Sequence, residues 1–280
     1  MNVIDRPKRL ATPTFPIGEN LCAVVSNAPV NDEYNLMVVA APHLALTAAA
    51  GQFFHLLCPR TEQDSPYLRR PMSVYRIDRK NEQIAFLYKV AGAGTRSLAR
   101  MKEGDILDAL GPLGVGFSLP KDTAHVLMVA RGVGLATLAP LAEMAKSRHA
   151  KVTAFLSARR RDLVMSRDEL EAAGANIHVV TDEDGDSSPA TLGASIAAAH
   201  ERAPFDFAAT CGSNRLFKLV KSLCADWRIE GQTALEARMG CGTGMCFACV
   251  TPTVDASGRE TYKRVCTEGP VFDIKEAIAW

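Results

Sequence analysis

The sequence has almost no surplus of charge and no long apolar run. Its 280 residues carry 32 basic and 31 acidic side chains, for a formal net charge of +1. A chain this balanced is not typical of proteins that bind nucleic acid or an anionic membrane surface. No run of eighteen apolar residues occurs, and the first seventeen residues lack the apolar segment of a secretory signal. We therefore expect a soluble cytoplasmic protein that needs neither a nucleic acid nor a membrane as partner.

The sequence also lacks internal repeats and low-complexity segments, while 48% hydrophobic and 22% charged residues are ordinary globular values. Its length suffices for two or more domains, each with a core of its own.

Four of the eight cysteines follow one compact pattern. Cys241, Cys246 and Cys249 are followed, after sixteen other residues, by Cys266. This C-x4-C-x2-C…C spacing is that of plant-type [2Fe–2S] proteins, in which four thiolates hold two irons. Glycines between and before these cysteines permit the sharp bends that such a loop requires. The pattern predicts that these four cysteines are metal ligands.

Two other interpretations of the cysteines stay open. A structural zinc site would favour shorter paired spacings, and a disulfide framework belongs in an oxidising compartment. The spacing favours the iron–sulfur cluster over both. The remaining cysteines lie in apolar surroundings and are expected to be buried small hydrophobes: Cys22, Cys58, Cys211 and Cys224.

The segment from 19 to 120 has the pattern of an all-β domain. It follows a polar, proline-rich stretch at 1–18 that we interpret as a flexible arm. Short β-branched and aromatic runs, separated by turn residues, indicate an antiparallel barrel or sandwich. The predicted strands are Leu21–Val25, Leu36–Ala40, Phe53–Leu57, Ser73–Ile77, Ile84–Val90 and Ile106–Leu110, with a helix at Arg96–Met101.

From 121 to 231 strands and helices alternate, which is typical of parallel β-α-β units. Predicted strands are His125–Ala130, Val152–Leu156, Ile177–Val180 and Phe205–Thr210; predicted helices are Leu135–Ser147, Asp168–Ala173, Ala190–Arg202 and Asn214–Trp227. Two polar loops, Arg159–Arg161 and Asp182–Ser188, are interpreted as mobile, solvated surface. The segment from 232 to 280 then forms a small C-terminal domain held by its metal.

Two groups of residues could bind nucleotide phosphates. In the β segment, Arg70 offers a guanidinium, and Gly94 with Thr95 offers free N–H groups and a hydroxyl near a helix start. In the α/β segment, Gly132 and Gly134 stand between a strand and a helix, although a full G-x-G-x-x-G is missing. Taken alone, both signals are weak. A surface ion pair and a turn explain the first, and tight strand-to-helix packing explains the second.

The order of these motifs resembles a known family. Arg70-Pro-Met-Ser73, Gly92-Ala-Gly-Thr95, Gly111-Pro-Leu-Gly-Val-Gly-Phe117, Cys211-Gly212, the cysteine loop and Gly269-Pro-Val-Phe272 occur in sequence. Over about residues 20–280 the chain resembles the electron-transfer subunits of NAD-dependent dihydroorotate dehydrogenase, in the ferredoxin reductase superfamily. The resemblance implies a multi-domain β plus α/β protein: an antiparallel FAD-binding β-barrel, a parallel-sheet NAD(P)-binding domain and a small C-terminal [2Fe–2S] domain.

The resemblance also implies residue roles. Arg70 would contact a flavin phosphate, and Ser73 would lie near the isoalloxazine ring. Gly94 and Thr95 would hold the pyrophosphate. The other flavin-lining residues would be Pro71, Met72, Leu87, Tyr88 and Lys89.

The implied function is electron transfer in pyrimidine biosynthesis. Dihydroorotate would be oxidised at an FMN in a separate catalytic subunit, within a heterotetramer. Electrons would pass through the [2Fe–2S] cluster and FAD of this chain to NAD, so no catalytic residue for the pyrimidine is expected here.

The nicotinamide segment departs from the family pattern. Relatives usually show Gly-Gly-x-Gly and Ala-Pro where this chain has Arg131-Gly132-Val133-Gly134 and Ala136-Thr137. Arg131 could hold a phosphate or exclude it, and the basic run Arg159–Arg161 could favour NADP. Alternatives are an NAD(P)H-dependent reductase component for another redox enzyme or an oxygenase, and a non-redox module that binds zinc.

Overall fold

The computed structural model describes residues 16–279. The predicted arm at 1–18 lies outside this range except for its last three residues, of which Gly18 begins the first strand. None of the helices between residues 16 and 279 is long and apolar enough to cross a membrane.

The first sheet is an antiparallel half-barrel of seven strands in the order β4-β3-β7-β1-β2-β6-β5. Its inward side chains, among them Phe54, Phe86 and Leu107, form one apolar core. A short helix, α1, follows β6. The bounds are β1 Gly18–Pro29, β2 Tyr34–Ala40, β3 Phe53–Leu56, β4 Arg70–Ser73, β5 Arg76–Asp78, β6 Gln83–Lys89, α1 Ala93–Ala99 and β7 Ile106–Leu113.

The predicted single strand Ser73–Ile77 is wrong. The chain forms two strands there because β4 pairs with β3 while β5 pairs with β6, at opposite edges of the sheet. Val74 and Tyr75 bridge the two edges, donating their N–H groups to Gln52 and Ala85. This crossing curves the sheet into a half-barrel. The helix predicted at Arg96–Met101 also begins earlier, at Ala93, and ends at Ala99.

The second sheet has six strands in the order β10-β9-β8-β11-β12-β15 and is parallel except for β15. β8 is buried along nearly its whole length, as expected for a strand covered by helices on both faces. The bounds are β8 His125–Arg131, α2 Gly134–Ser147, β9 Lys151–Ala158, α3 Arg167–Ala172, β10 Asn176–Thr181, α4 Pro189–Arg202, β11 Phe207–Cys211, α5 Asn214–Trp227, β12 Glu230–Ala234 and β15 Val271–Asp273.

The helices follow from local sequence. α5 buries Leu216, Phe217, Val220 and Cys224, which recur at the spacing of one helix face. Ser213 caps this helix by accepting a hydrogen bond from the Leu216 N–H at 3.5 Å. Ser188 caps α4 in the same way, with Pro189 in the first turn.

The C-terminal segment is joined to both preceding sheets. It contains a hairpin of β13 (Val250–Val254) and β14 (Glu260–Arg264), while β15 pairs antiparallel with β12. The loop after β7 meets the loop before β15, where the Val115 N–H donates to Gly269 O at 2.5 Å. Gly114 has φ +76°, and a Cβ there would lie 2.5 Å from the same oxygen. Two motifs that resemble the family, Gly111–Phe117 and Gly269–Phe272, therefore contact each other. The predicted fold class, a β-barrel, a parallel-sheet domain and a small cysteine-containing region, is confirmed.

Candidate functional site

A cavity of about 270 Å³ lies where the half-barrel, α2 and the segment before the cysteine loop meet. Six of the residues predicted to contact the flavin border it: Pro71, Met72, Ser73, Leu87, Tyr88 and Lys89. The other lining residues are Phe53, Val133, Thr137, Leu235, Glu236, Ala237, Met239 and Pro270.

A hydrogen bond between hydroxyl groups joins the barrel to the α/β domain at the wall of this cavity. Thr137 Oγ1 in α2 donates to Ser73 Oγ in β4 at 3.0 Å. The buried Cys211 thiol at the end of β11 lies beside Thr137, and burial raises the pKa of Cys211 to about 12. Three segments far apart in sequence thus bring small polar groups to one point. Thr137 was noted as a departure from the family pattern but was not predicted to line the site.

Arg70 and Gly94 lie in contact, outside that cavity. A Cβ on Gly94 would come within 2.7 Å of Arg70 Nε, so only a glycine leaves room for this arginine side chain. The Arg70 guanidinium donates to Leu68 O at 2.5 Å. Thr95 Oγ1 accepts hydrogen bonds from the N–H groups of Ala91 and Gly92, which fixes the start of α1. The structure therefore brings the three predicted phosphate-binding residues to one corner of the barrel.

The strand β6 forms another wall of the cavity. Lys89 Nζ pairs with Glu33 at 2.7 Å. Tyr88 also borders the cavity, but its hydroxyl donates to Asn27 at 2.9 Å. Burial raises the pKa of Tyr88 to about 12, so it stays a neutral hydrogen-bond donor.

The segment directly before the cysteines supplies residues that sequence reasoning missed. Leu235, Glu236, Ala237 and Met239 all line the cavity. The Glu236 residue is exposed at the cavity surface, yet protein surrounds its carboxylate, and this desolvation raises its pKa. The only sequence signal that could have identified these four residues as part of the site was their closeness in sequence to Cys241. The cavity and the cysteine loop thus share one stretch of chain.

The four predicted ligand cysteines form two neighbouring pairs. The Cys241 N–H donates to Cys246 Sγ, and the Cys246 N–H donates to Cys241 Sγ, both at 3.4 Å. The Cys266 N–H donates to Cys249 Sγ, also at 3.4 Å. Between residues 16 and 279, no three His, Cys, Asp or Glu side chains converge as ligands for a single metal ion. All eight cysteines are free thiols, which does not support the disulfide interpretation.

The cysteine loop favours a thiolate at Cys241. Partial burial acts to raise the pKa of Cys241, but hydrogen bonds from the backbone N–H groups of Cys246 and Thr243 outweigh it and lower the pKa to about 6. Burial and the adjacent Cys249 instead raise the pKa of Cys266 to about 12. The other four cysteines are buried, as predicted, with exposures between 1% and 4%.

The glycine turn after β8 is tightly packed. A Cβ on Gly134 would lie 2.5 Å from Cys211 O, and one on Gly212 would lie 2.3 Å from Arg131 O. Gly132 and Gly212 also have positive φ angles of +57° and +86°. Close packing between the two strand ends therefore requires these glycines whatever else binds there. Neither Gly132 nor Gly134 lines the cavity between the half-barrel and α2, although Val133 between them does.

Arg131 is held at the carboxyl edge of the parallel sheet. Its guanidinium donates to Ser157 Oγ at 2.8 Å and pairs with Asp182 at 2.5 Å. Asp182 is held in turn by Ser187. These hydrogen bonds with Ser187 and Arg131 lower the pKa of Asp182. The two polar loops interpreted as mobile surface are also tied by ion pairs, since Arg159 pairs with Glu33 and Arg161 with Asp184.

Comparison with known proteins agrees with this architecture. Residues 236–278 match the model of the iron-sulfur cluster binding domain of dihydroorotate dehydrogenase B. The electron transfer subunit of dihydroorotate dehydrogenase B (NAD(+)) from Shouchella clausii is 33% identical over 92% of this chain and 97% of that protein. Its counterpart from Desulforamulus reducens is 32% identical over 83% of this chain and 87% of that protein.

A solved structure gives the same result for the fold. One chain of an NADH-dependent reduced ferredoxin-NADP oxidoreductase, studied for flavin-based electron bifurcation, superimposes with a TM-score of 0.77. The two chains are 26% identical, and the match covers 92% of this chain and 90% of the other. The predicted family resemblance is confirmed: this chain belongs to the family of dihydroorotate dehydrogenase B electron transfer subunits.

Proposed function

We propose that this chain carries electrons between an FMN-containing dihydroorotate dehydrogenase subunit and NAD, using a bound FAD and a [2Fe–2S] cluster. One observation carries the proposal: Leu235, Glu236, Ala237 and Met239 form a wall of the cavity of about 270 Å³, called the flavin-facing cavity below, and lead directly into Cys241. A flavin in that cavity would lie against the same short segment that would supply the first cluster ligand. The cofactors supply the redox chemistry, and the chain holds them close together.

FAD fits the residues present. Ser73, Leu87 and Lys89 border a cavity that is mostly apolar with a few polar groups, as flavin rings require. Arg70 beside Gly94 provides a cation for a phosphate at the barrel corner, with Thr95 next to it. The residues assigned to FAD are Arg70, Pro71, Met72, Ser73, Leu87, Tyr88, Lys89, Gly94 and Thr95.

A [2Fe–2S] cluster fits the cysteine loop by its donor set. Two irons with two thiolates each suit the pairs Cys241 with Cys246 and Cys249 with Cys266. Backbone N–H groups of Thr243 and Met245 point at Cys241 Sγ at 3.4 and 3.3 Å, and such hydrogen bonds stabilise negative charge on sulfur. Iron and acid-labile sulfide near two each per chain would support this proposal, whereas zinc alone would contradict it.

Nicotinamide binding is proposed at the turn from Arg131 to Gly134, at the carboxyl edge of the parallel sheet. The Arg131 guanidinium adds a positive charge there, and Asp182 holds it in place. We propose NAD rather than NADP, because each arginine of the run Arg159–Arg161 already has a carboxylate partner in Glu33, Asp162 or Asp184. A 2′-phosphate would have to displace these carboxylates.

We also propose the division into a barrel (19–120), an NAD-binding domain (121–231) and a cluster domain (232–280). The partner would be an FMN-containing catalytic subunit in a heterotetramer. The test is copurification of affinity-tagged chain from its host, followed by assay of the complex. The expected complex contains FMN, FAD and iron, and forms NADH from dihydroorotate. A complex that lacks FMN and does not oxidise dihydroorotate would overturn this function.

A second candidate function is a reductase component that serves another redox enzyme. The specific support is the TM-score of 0.77 with a chain of an NADH-dependent reduced ferredoxin-NADP oxidoreductase. Its test uses the same copurified complex: reduction of ferredoxin by NADH, without dihydroorotate turnover, would favour this candidate.

A further inference from the structure

His55 lies directly under the cysteine loop. It is a residue of β3 in the barrel, and it is only 1% exposed. A Cβ on Gly242 would stand 3.1 Å from its Cε1 and Nδ1 and 3.2 Å from its Cγ. Nearly equal distances to three neighbouring ring atoms place Gly242 over the face of the imidazole. The loop between Cys241 and Thr243 therefore rests on this ring, and Gly242, with φ +71°, permits the approach.

The His55 ring also has an unused hydrogen-bonding atom. Its Nε2 is fully buried and has no hydrogen-bond partner among the described residues. Burial, followed by the nearby charge of Arg69, lowers the pKa of His55 to about 4, so the ring is neutral near pH 7. A neutral imidazole offers one N–H donor and one acceptor, and a buried one that stays unpaired is unfavourable. An unpaired buried atom in a ring that contacts the cysteine loop calls for a partner.

The His55 ring also contacts a residue of the cavity wall. Phe53, two residues earlier in β3, lines the flavin-facing cavity. The rings of Phe53 and His55 meet edge to face with centroids 5.8 Å apart. The Arg69 guanidinium holds the His55 backbone by donating to its carbonyl oxygen at 3.3 Å. One short strand therefore connects the cavity to the cysteine loop and limits movement of the imidazole.

We propose that His55 is a positioning residue whose imidazole N–H donates a hydrogen bond to a sulfur atom of the bound cluster or its cysteine ligands. This inference rests on the proposed function, because the acceptor belongs to the [2Fe–2S] site. The sulfur atoms carry more negative charge after the cluster takes up an electron. A donor aimed at them stabilises the reduced cluster and raises its reduction potential.

The test is a redox titration of the full FAD- and cluster-loaded chain, followed by electron paramagnetic resonance of the reduced cluster. His55→Phe keeps an aromatic ring but removes the donor, whereas His55→Gln keeps an N–H. We expect His55→Phe to lower the potential by about 59 mV, a tenfold change for one electron. His55→Gln should shift that equilibrium by less than about twofold. His125→Phe is the matched control, because His125 is also buried but lies at the start of β8.

A second measurement needs no variant. Wild-type protein labelled with ¹⁵N only at histidine should show nitrogen coupling to the reduced cluster. A loaded cluster without that coupling, or with an unchanged potential in folded His55→Phe, overturns the role of His55 alone. A wild-type chain that binds no [2Fe–2S] cluster overturns the proposed function as well.

Discussion

The flavin-facing cavity and the nicotinamide turn were predicted from similar signals, yet they are built differently. Ser73 and Leu87 are among the residues that line the cavity. At the turn, Gly134 is packed against the Cys211 backbone, and Arg131 is paired with Asp182. The first region has the shape of a binding site before any ligand enters. In the second, glycine is explained by packing alone, and a nucleotide must compete for Arg131 with a carboxylate.

The difference shows what a glycine-rich motif can and cannot establish. Gly94 leaves space that an arginine fills, whereas Gly134 lets two backbone segments approach each other. Both uses avoid a Cβ, so the sequence pattern alone does not distinguish them. The neighbouring atoms do, because a Cβ on Gly94 would meet the Arg70 side chain, whereas one on Gly134 would meet the Cys211 backbone.

The largest expected effect is at the cluster. Replacing Cys249 by serine removes a buried sulfur ligand, so we expect cluster content to fall at least about tenfold while FAD stays bound. Iron, sulfide and flavin analysis of the purified variant measures this. Cys224→Ala is the matched control, because Cys224 is equally buried but packs in α5. Full cluster content in Cys249→Ser would exclude Cys249 as a ligand.

Next in size is the packing of the nicotinamide turn. In Gly134→Ala the new Cβ meets Cys211 O, and this backbone oxygen cannot move away easily. We expect a loss of about 1–3 kcal/mol in the free energy of unfolding, measured by denaturant titration. Gly92→Ala is the comparison, since a Cβ there meets nothing within 4 Å. Equal stability of the two variants would mean that the turn is not tightly packed.

A smaller effect is expected at Arg131. If its guanidinium helps to hold the pyrophosphate, Arg131→Ala should raise KM for NADH up to about tenfold with little change in kcat, since one charged hydrogen bond contributes about 1.5 kcal/mol. Steady-state reduction of a dye acceptor provides the assay. Arg160→Ala serves as control, because Arg160 pairs with Asp162 on the exposed surface. A lower KM in Arg131→Ala would show instead that Arg131 excludes the nucleotide.

The smallest effect concerns Glu236 in the cavity wall. Desolvation raises its pKa in the folded chain, so the folded state favours the neutral acid. Its contribution to stability is complete below the ordinary glutamate pKa of about 4.3 and is lost as the pH rises through the raised value. We therefore expect Glu236→Gln to have a slightly higher Tm than the parent chain at pH 8 and the same Tm at pH 4. A Tm difference that is independent of pH would contradict this, with Glu103→Gln in a surface turn as control.

Much of the fold could be predicted from sequence because the patterns are local. The continuous apolar run of β8 and the helix face of α5 follow from their own residues. The split between β4 and β5 could not be predicted, because it depends on which distant strands pair at the two sheet edges. Thr137 and Glu236 were missed for a related reason: each is unremarkable in its own segment and lines the cavity only after three segments come together.

The most direct test of the account is anaerobic titration of the purified chain with NADH, followed by visible absorption and electron paramagnetic resonance. The account predicts that flavin and cluster signals are both present, and that NADH reduces both more readily than NADPH does. If dithionite reduces flavin and cluster but neither nucleotide does, the proposed path from the nicotinamide turn through the flavin-facing cavity to the cysteine loop is contradicted.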